Sequence, residues 1–228
     1  MDLKLKDRVA LITGAADGLG KALSLQCAAA GATVILLDKT VPGLEKVYDQ
    51  IVATGSPEPA AYPMNLEGAE WKDYEQLAAT LMQEFGRLDV LTHNAAHFHG
   101  LTPLANFDLR EWARTLHVNL TAPYLLTRCC LELLGQPAQS NLIFVSDEAG
   151  EKAKAYWGAY GVSKHGLDGL AGTFAEELES STINVHRIDP GPMSTAMRIK
   201  AFPSDEPGTI DAPDMAAAKI IDLLARAE

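Results

Sequence analysis

The chain has 228 residues, 47% of them apolar and 21% charged, which suits a single domain with one well-buried core. Thirty acidic residues against 19 basic ones give a formal net charge of −11, unfavourable for nucleic-acid backbones or anionic membrane surfaces. No apolar run approaches the ~18 residues of a membrane span, and the opening MDLKLKDRVALITG leaves no room for a secretion leader, so a cytoplasmic protein without membrane or nucleic-acid partners is expected.

Short β-branched runs alternate with amphipathic stretches along the whole chain. VALIT (9–13), TVILLD (33–38), AAYPM (60–64), VLTH (90–93), LIFVS (142–146) and INVHRI (183–188) read as strands. Helices are predicted at 18–30, 42–54, 67–85, 108–134, 158–179 and 211–226. Strands this apolar, without alternation, need cover on both faces, so the pattern predicts βαβ units and a parallel sheet. The segment 190–210, rich in Pro, Ser and Gly, is the one long irregular stretch and is expected to be a substrate-side flap within a single domain. Cys27, Cys129 and Cys130 fall in helical patterns and read as core packing in a reduced compartment.

Between the first strand and first helix lies T-G-A-A-D-G-L-G, Thr13 to Gly20. Gly14 permits a tight turn, Gly18 lets backbone approach a pyrophosphate, and Gly20 lets the helix pack close to the sheet. Ala16, Asp17 and Leu19 complete the loop, and the helix N-terminus behind it favours negative charge. In a strand–turn–helix context such a loop is a dinucleotide signal. Asp38 ends the second strand, where a carboxylate accepts both adenosine ribose hydroxyls and repels a 2′-phosphate. With Asp17 nearby, and Lys39 the one opposing charge, NAD is expected rather than NADP. The fold class is α/β, a three-layer doubly wound Rossmann fold on a mostly parallel sheet of six strands.

The T-G-x-x-x-G-x-G spacing, N94-A-A96, Asn119, Y160-G-V-S-K164 and P190-G-x-x-x-T195 follow one another in order over nearly the whole chain. Together they resemble the short-chain dehydrogenase/reductase family, and W157-G-A-Y with the later T-A-M and A-F-P resembles its YciK-type bacterial branch. The resemblance implies that Tyr160 is the acid/base and that Lys164, one helical turn on, lowers the phenol's pKa and holds the nicotinamide ribose. It implies that Asn119 holds a relay water and that Asn94, Ala95, Ala96, Asn65 and Leu66 line the adenosine side. Pro190, Gly191, Met193 and Thr195 would then hold the carboxamide. It also implies a homodimer through the 108–134 and 158–179 helices. A seventh strand, usual in the family and at a second subunit contact, is not expected here.

One departure bears on catalysis. The family places a Ser thirteen positions before the Tyr; here that position is Asp147, with the landmark Gly150 in its expected place. Losing such a donor costs about 3–4 kcal/mol in rate. An ionised carboxylate ~4 Å from a phenolate adds about 4 kcal/mol of repulsion at an effective dielectric of 20, which would raise the Tyr160 pKa against Lys164. Ser146, next along an extended strand, points to the opposite face. A neutral Asp147 could donate in place of the Ser, or Lys152 or Lys154 could pair with it. Three readings stay open: an oxidoreductase using Asp147 as donor, a catalytically weak NAD(H)-binding protein with a sensing or association role, and a lyase using Asp147 and Glu148.

The small-molecule substrate is expected over the nicotinamide, between Asp147, Glu148, Trp157, the 97–100 loop and the flap. His93, His97 and His99 suggest a metal cluster, but no carboxylate or Cys completes it at local spacing, and no metal is expected.

Overall fold

Six apolar runs become six parallel strands. The computed structural model describes residues 4–206 and 208–226. Among them the chain runs β1 (Val9–Thr13), α1 (Gly18–Ala29), β2 (Thr33–Asp38), α2 (Val41–Ala53), β3 (Ala60–Pro63), α3 (Trp71–Glu84) and β4 (Val90–His93). It continues through α4 (Leu109–Leu116), α5 (Ala122–Leu134), β5 (Ser140–Val145), α6 (Glu148–Glu151), α7 (Gly158–Glu177), β6 (Ile183–Ile188), α8 (Ala196–Ala201) and α9 (Pro213–Arg226). The sheet order is β3-β2-β1-β4-β5-β6, with every pairing parallel. This is the doubly wound Rossmann arrangement expected from the alternating pattern. Pro63 fits because β3 lies at an edge of the sheet, where a missing N–H costs no ladder bond.

Two apolar layers sandwich the sheet. On one face Leu19, Ala22 and Leu23 of α1 pack with Ala217, Ile220 and Leu224 of α9. On the other, Leu77 and Leu81 of α3, Leu126 and Leu133 of α5, and Leu167 and Phe174 of α7 cover Leu11, Leu91 and Phe144. Cys27 and Cys130 are buried and Cys129 half-buried, and burial pushes the Cys27 and Cys130 thiols up to about 12. The chain leaves β3 at one side and crosses to β4 at the other side of β1, so the strand order reverses between β1 and β4. A crevice opens there, beyond the carboxyl ends of these strands.

Three local departures from the sequence expectation position the site. The predicted 108–134 helix is divided by a π-helical turn, His117–Thr121. Pro123 supplies the reason: it has no N–H to donate to the Asn119 carbonyl four residues back. Strand β5 stops at Val145, and Asp147 caps a short unpredicted helix, α6, by accepting the Ala149 N–H at 2.8 Å. The flap is only partly irregular, since Thr195 starts α8 by accepting the Arg198 N–H at 3.2 Å.

Candidate active site

The glycine loop forms one end of the crevice. Gly14 and Gly18 have φ of +69° and +52°, conformations that favour glycine. A Cβ on Gly20 would lie 2.0 Å from the Gly14 carbonyl oxygen, so only glycine allows α1 to start this close to β1. Asn94 ties the two strand ends together: its Nδ2 donates to the Thr13 carbonyl at 2.9 Å, and its N–H donates to Thr13 Oγ1 at 3.0 Å. The Ala95 N–H donates to the same hydroxyl at 3.0 Å. The result is a rigid floor at the strand-order reversal.

Above it lies a cavity of about 760 Å³, within the usual range for cofactor sites. Gly14, Asp17, Gly18, Leu19 and Asp38 line its adenosine end, and Asn94, Ala95 and Ala96 its floor. Pro190, Gly191, Met193 and Thr195 come in from the flap, and Asp147, Tyr160 and Lys164 from the far side. Three predicted residues support the site without lining the cavity: Gly20 by its packing, Ala16 by donating its N–H to Asp38 Oδ2 at 3.3 Å, and Asn119 by bonding His97 and Ser163. Asn65 and Leu66 do not reach the cavity. Asn65 is exposed, accepts the Glu67 N–H, and borders a separate hollow beside β3, while Leu66 is buried in the core.

Asp38 accepts the Thr40 N–H through Oδ1 at 2.9 Å, which fixes its carboxylate at the crevice. Lys39 turns away and pairs with Glu67 at 2.7 Å. Lys39 is thereby paired with Glu67 and not with Asp38. Glycine cradle, free helix N-terminus and carboxylate together fit an adenine dinucleotide.

At the other end, Tyr160 and Lys164 share one face of α7. The Tyr160 hydroxyl donates to Asp147 Oδ2 at 3.2 Å. Lys164 Nζ donates to the Val145 carbonyl at 2.7 Å and lies 5.7 Å from the Tyr160 ring centroid. Burial lowers the Lys164 ammonium to about 8, although Asp147, Asp168 and Asp189 pull the other way. Burial first, then the charge and hydrogen bond of Asp147, then Asp189, hold the Tyr160 phenol well above its usual range. This corrects the expectation that Lys164 lowers it: the ammonium is turned to a backbone carbonyl, whereas the carboxylate faces the hydroxyl directly.

Neither lysine suggested as a partner for Asp147 takes that role. Lys154 pairs with Glu148 at 2.7 Å, and Lys152 is exposed without a bond to it. Ser146 Oγ faces away, as its strand position implies, and donates to Asp168 on α7, which also binds Arg187 at 2.7 Å. Asn119 is buried. Its Oδ1 accepts the His97 N–H at 2.6 Å, and its Nδ2 donates to the His97 carbonyl at 3.0 Å and to Ser163 Oγ at 2.9 Å. Both amide hydrogens are thus committed to protein, and Asn119 joins the π turn to α7 and to the 97–100 loop.

The three histidines separate. His93 is buried against Phe144 with its Nε2 at 2.7 Å from Thr127 Oγ1, and burial lowers its pKa to about 3. His97 and His99 instead converge on Glu111, at 2.7 and 3.3 Å.

Residues 8–206 match the family described as short chain dehydrogenase. The chain belongs to the short-chain dehydrogenase/reductase family. It is 33% identical over 209 residues to the uncharacterized oxidoreductase YciK of Escherichia coli K12, covering 92% of this chain and 82% of that one. A solved structure from Pseudomonas syringae, assigned as a short chain dehydrogenase, superimposes with a TM-score of 0.95 at 40% identity, over 98% of this chain and 91% of that one. A short chain dehydrogenase from Escherichia coli CFT073, complexed with NADPH, does so with a TM-score of 0.94 at 33% identity, over 98% and 92%. The protein is thus a YciK-type oxidoreductase whose fold binds a nicotinamide dinucleotide. Among the described residues no helix is long and apolar enough to cross a membrane.

Proposed function

We propose that this protein is an NAD(H)-dependent oxidoreductase that reduces a small carbonyl compound, with Tyr160 as proton donor. The observation that carries this reading is Tyr160 OH facing Asp147 Oδ2 at the end of a cavity whose other end is the Gly14–Gly20 cradle. A bound nicotinamide supplies the hydride. The phenol, held neutral by burial and by Asp147, donates its proton to the substrate oxygen as negative charge develops there. Lys164 keeps a positive charge beneath that oxygen and anchors α7 to β5 through Val145. Asp147 stands where the family has its Ser, and by accepting the Tyr160 hydroxyl at 3.2 Å it orients the phenol at the end of the cavity. Flap and α8 exclude water.

Asp38 and Asp17, with Lys39 turned to Glu67, support NAD over NADP. The NADPH complex of the relative from strain CFT073 supports the other preference. Titration of NADH and NADPH by fluorescence, followed by reduction of a carbonyl panel by the natural protein and by Tyr160→Phe, tests both halves. Tighter NADPH binding refutes the cofactor preference, and equal turnover by Tyr160→Phe refutes the proton donor.

A second reading is favoured by the same hydrogen bond: a phenol locked onto a carboxylate suits an NAD(H)-binding protein with little turnover. NADH binding without turnover of any carbonyl would select it. A homodimer through α4, α5 and α7 belongs to the proposal, since Leu109, Tyr124 and Val162 leave apolar side chains exposed on these helices. Sedimentation velocity giving a monomer would overturn that part. A cytoplasmic location, supported by three unpaired thiols, completes it.

A further inference from the structure

The substrate end of the cavity is walled by rings. Phe98 lies 5.6 Å from Trp157 and 5.3 Å from Tyr160, while Trp157 lies 5.6 Å from Tyr160 and 6.1 Å from Phe202, measured between centroids. Phe98 and Tyr160 form one apolar cluster with Ala149 and Ala201, and Trp157, Met197 and Phe202 pack against it. Helix α8 closes this wall: Lys200 Nζ donates to the Phe98 carbonyl at 3.0 Å, and Phe202 reaches Trp157. Tyr160 keeps only 5% exposure under it.

The charges around the wall are already committed. Among the described residues lining the cavity the cations are Lys154, Lys164 and Arg198. Lys154 is bonded to Glu148 at 2.7 Å, Arg198 to Asp205 at 2.7 Å, and Lys164 is buried on the Val145 carbonyl. Five carboxylates line the same cavity. A substrate anion would therefore face Asp147 and Asp189 with only Lys164, buried on the Val145 carbonyl, to offset them. A substrate cation fares no better at the rings. The Arg198 guanidinium sits 3.8 Å from the Phe202 centroid, and Lys154 Nζ sits 6.0 Å from that of Trp157, so these faces carry the protein's own cations.

We propose that the substrate is an uncharged, compact ring compound, an alicyclic ketone or an aromatic aldehyde, selected by the Phe98–Trp157–Phe202 wall. This rests on the carbonyl-reduction reading above. Burial of apolar surface supplies the affinity; the Asp147 and Asp189 carboxylates exclude an anion, and the Arg198 and Lys154 cations already on the Phe202 and Trp157 faces exclude an ammonium group from the rings.

The test compares cyclohexanone and benzaldehyde with 4-oxocyclohexanecarboxylate and 4-aminocyclohexanone under saturating NADH. The neutral rings should exceed each charged analogue by at least about tenfold in kcat/KM. Glu148→Gln, which releases Lys154, should raise the carboxylate relative to cyclohexanone by about fivefold or more. Trp157→Ala should raise KM for the neutral rings with NADH affinity unchanged, and Trp157→Phe should restore it. A carboxylate or amine handled as well as cyclohexanone by the natural protein overturns the inference. If no ketone turns over, the reduction reading fails, and saturation-transfer NMR on the NADH complex still decides the ligand class. Cyclohexanone binding ahead of both charged analogues supports the inference, and any other ranking, or no binding, overturns it.

Discussion

The Tyr160 hydroxyl donates to Asp147 Oδ2 across 3.2 Å, while Asp147 Oδ1 accepts the Ala149 N–H at 2.8 Å and caps α6. One carboxylate thus orients the phenol and begins the helix that carries Gly150 beneath α7. A Cβ on Gly150 would lie 2.8 Å from Asp168 and 3.2 Å from the Lys164 backbone, so glycine permits this close approach. The negative charge opposes phenolate formation. Removing it by Asp147→Asn should let Tyr160 titrate at lower pH, yet still above its usual range, because burial is the larger cause. The alkaline limb of the reduction profile should move to lower pH with it. Ultraviolet difference titration, with Tyr160→Phe identifying the signal, checks this; an unmoved titration would show that the charge is not felt.

Ser146 and Asp147 should separate cleanly. Ser146 is bonded to Asp168 and faces away from the hydroxyl of Tyr160. Ser146→Ala should keep kcat within about threefold and cost about 1–3 kcal/mol in stability, because the Asp168 carboxylate loses a donor. Asp147→Ala should lower kcat by roughly a hundred- to a thousandfold, and Asp147→Ser should be no faster than the natural protein. A Ser variant ten times faster would mark Asp147 as an impaired position.

Asp38 is held by the Thr40 N–H and, more weakly, by that of Ala16. Asp38→Asn keeps the size and removes the repulsion of a 2′-phosphate. Its ratio of NADPH to NADH affinity should rise by about tenfold. Fluorescence titration of both cofactors reads this directly, and an unchanged ratio would mean that Asp38 does not face the ribose.

Gly20→Ala places a methyl 2.0 Å from the Gly14 oxygen and 2.6 Å from Asn94 Nδ2. Neither can retreat without opening the joint between β1 and β4. A loss of about 1–3 kcal/mol by chemical denaturation is expected, together with weakened NADH binding. Gly68→Ala, where a Cβ meets nothing within 4 Å, is the control and should stay within about 0.5 kcal/mol.

His93 makes folding sensitive to acid. Burial depresses its folded pKa to about 3 from 6.5, so it contributes stability that is fully present above pH 6.5 and is lost as pH falls toward 3. The linked contribution is at most about 4–5 kcal/mol. Denaturant unfolding at pH 7 and at about pH 5, near the middle of this window, should show a smaller pH dependence for His93→Gln than for the natural protein. Equal slopes would exclude His93 as a source of acid sensitivity.

Much of this architecture was legible in the chain. The limits of β1, β2 and β4 coincide with their apolar runs, because burial on both faces demands unbroken hydrophobicity. The π turn was readable too, from Pro123, but the continuous amphipathic pattern around it favours a single helix. Helix α6 is too short for periodicity to reveal, though Asp147 followed by Glu148 is an N-terminal capping signal. Which hollow Asn65 borders depends on where the turn after β3 points, which no local spacing encodes.

The sequence by itself determined the sheet, the glycine cradle and the pairing of Tyr160 with Lys164 on one helical face, since each depends on neighbours a few residues apart. Only the tertiary structure decided that Asp147 rather than Lys164 faces the phenol, that Lys154 binds Glu148, and that rings from the 97–100 loop, Trp157 and the flap meet over the substrate end. Those relationships join segments brought together by packing of α7 against the sheet and of α8 and the residue after it against Phe98 and Trp157. Distance through space, and the burial that comes with it, sets their charge states.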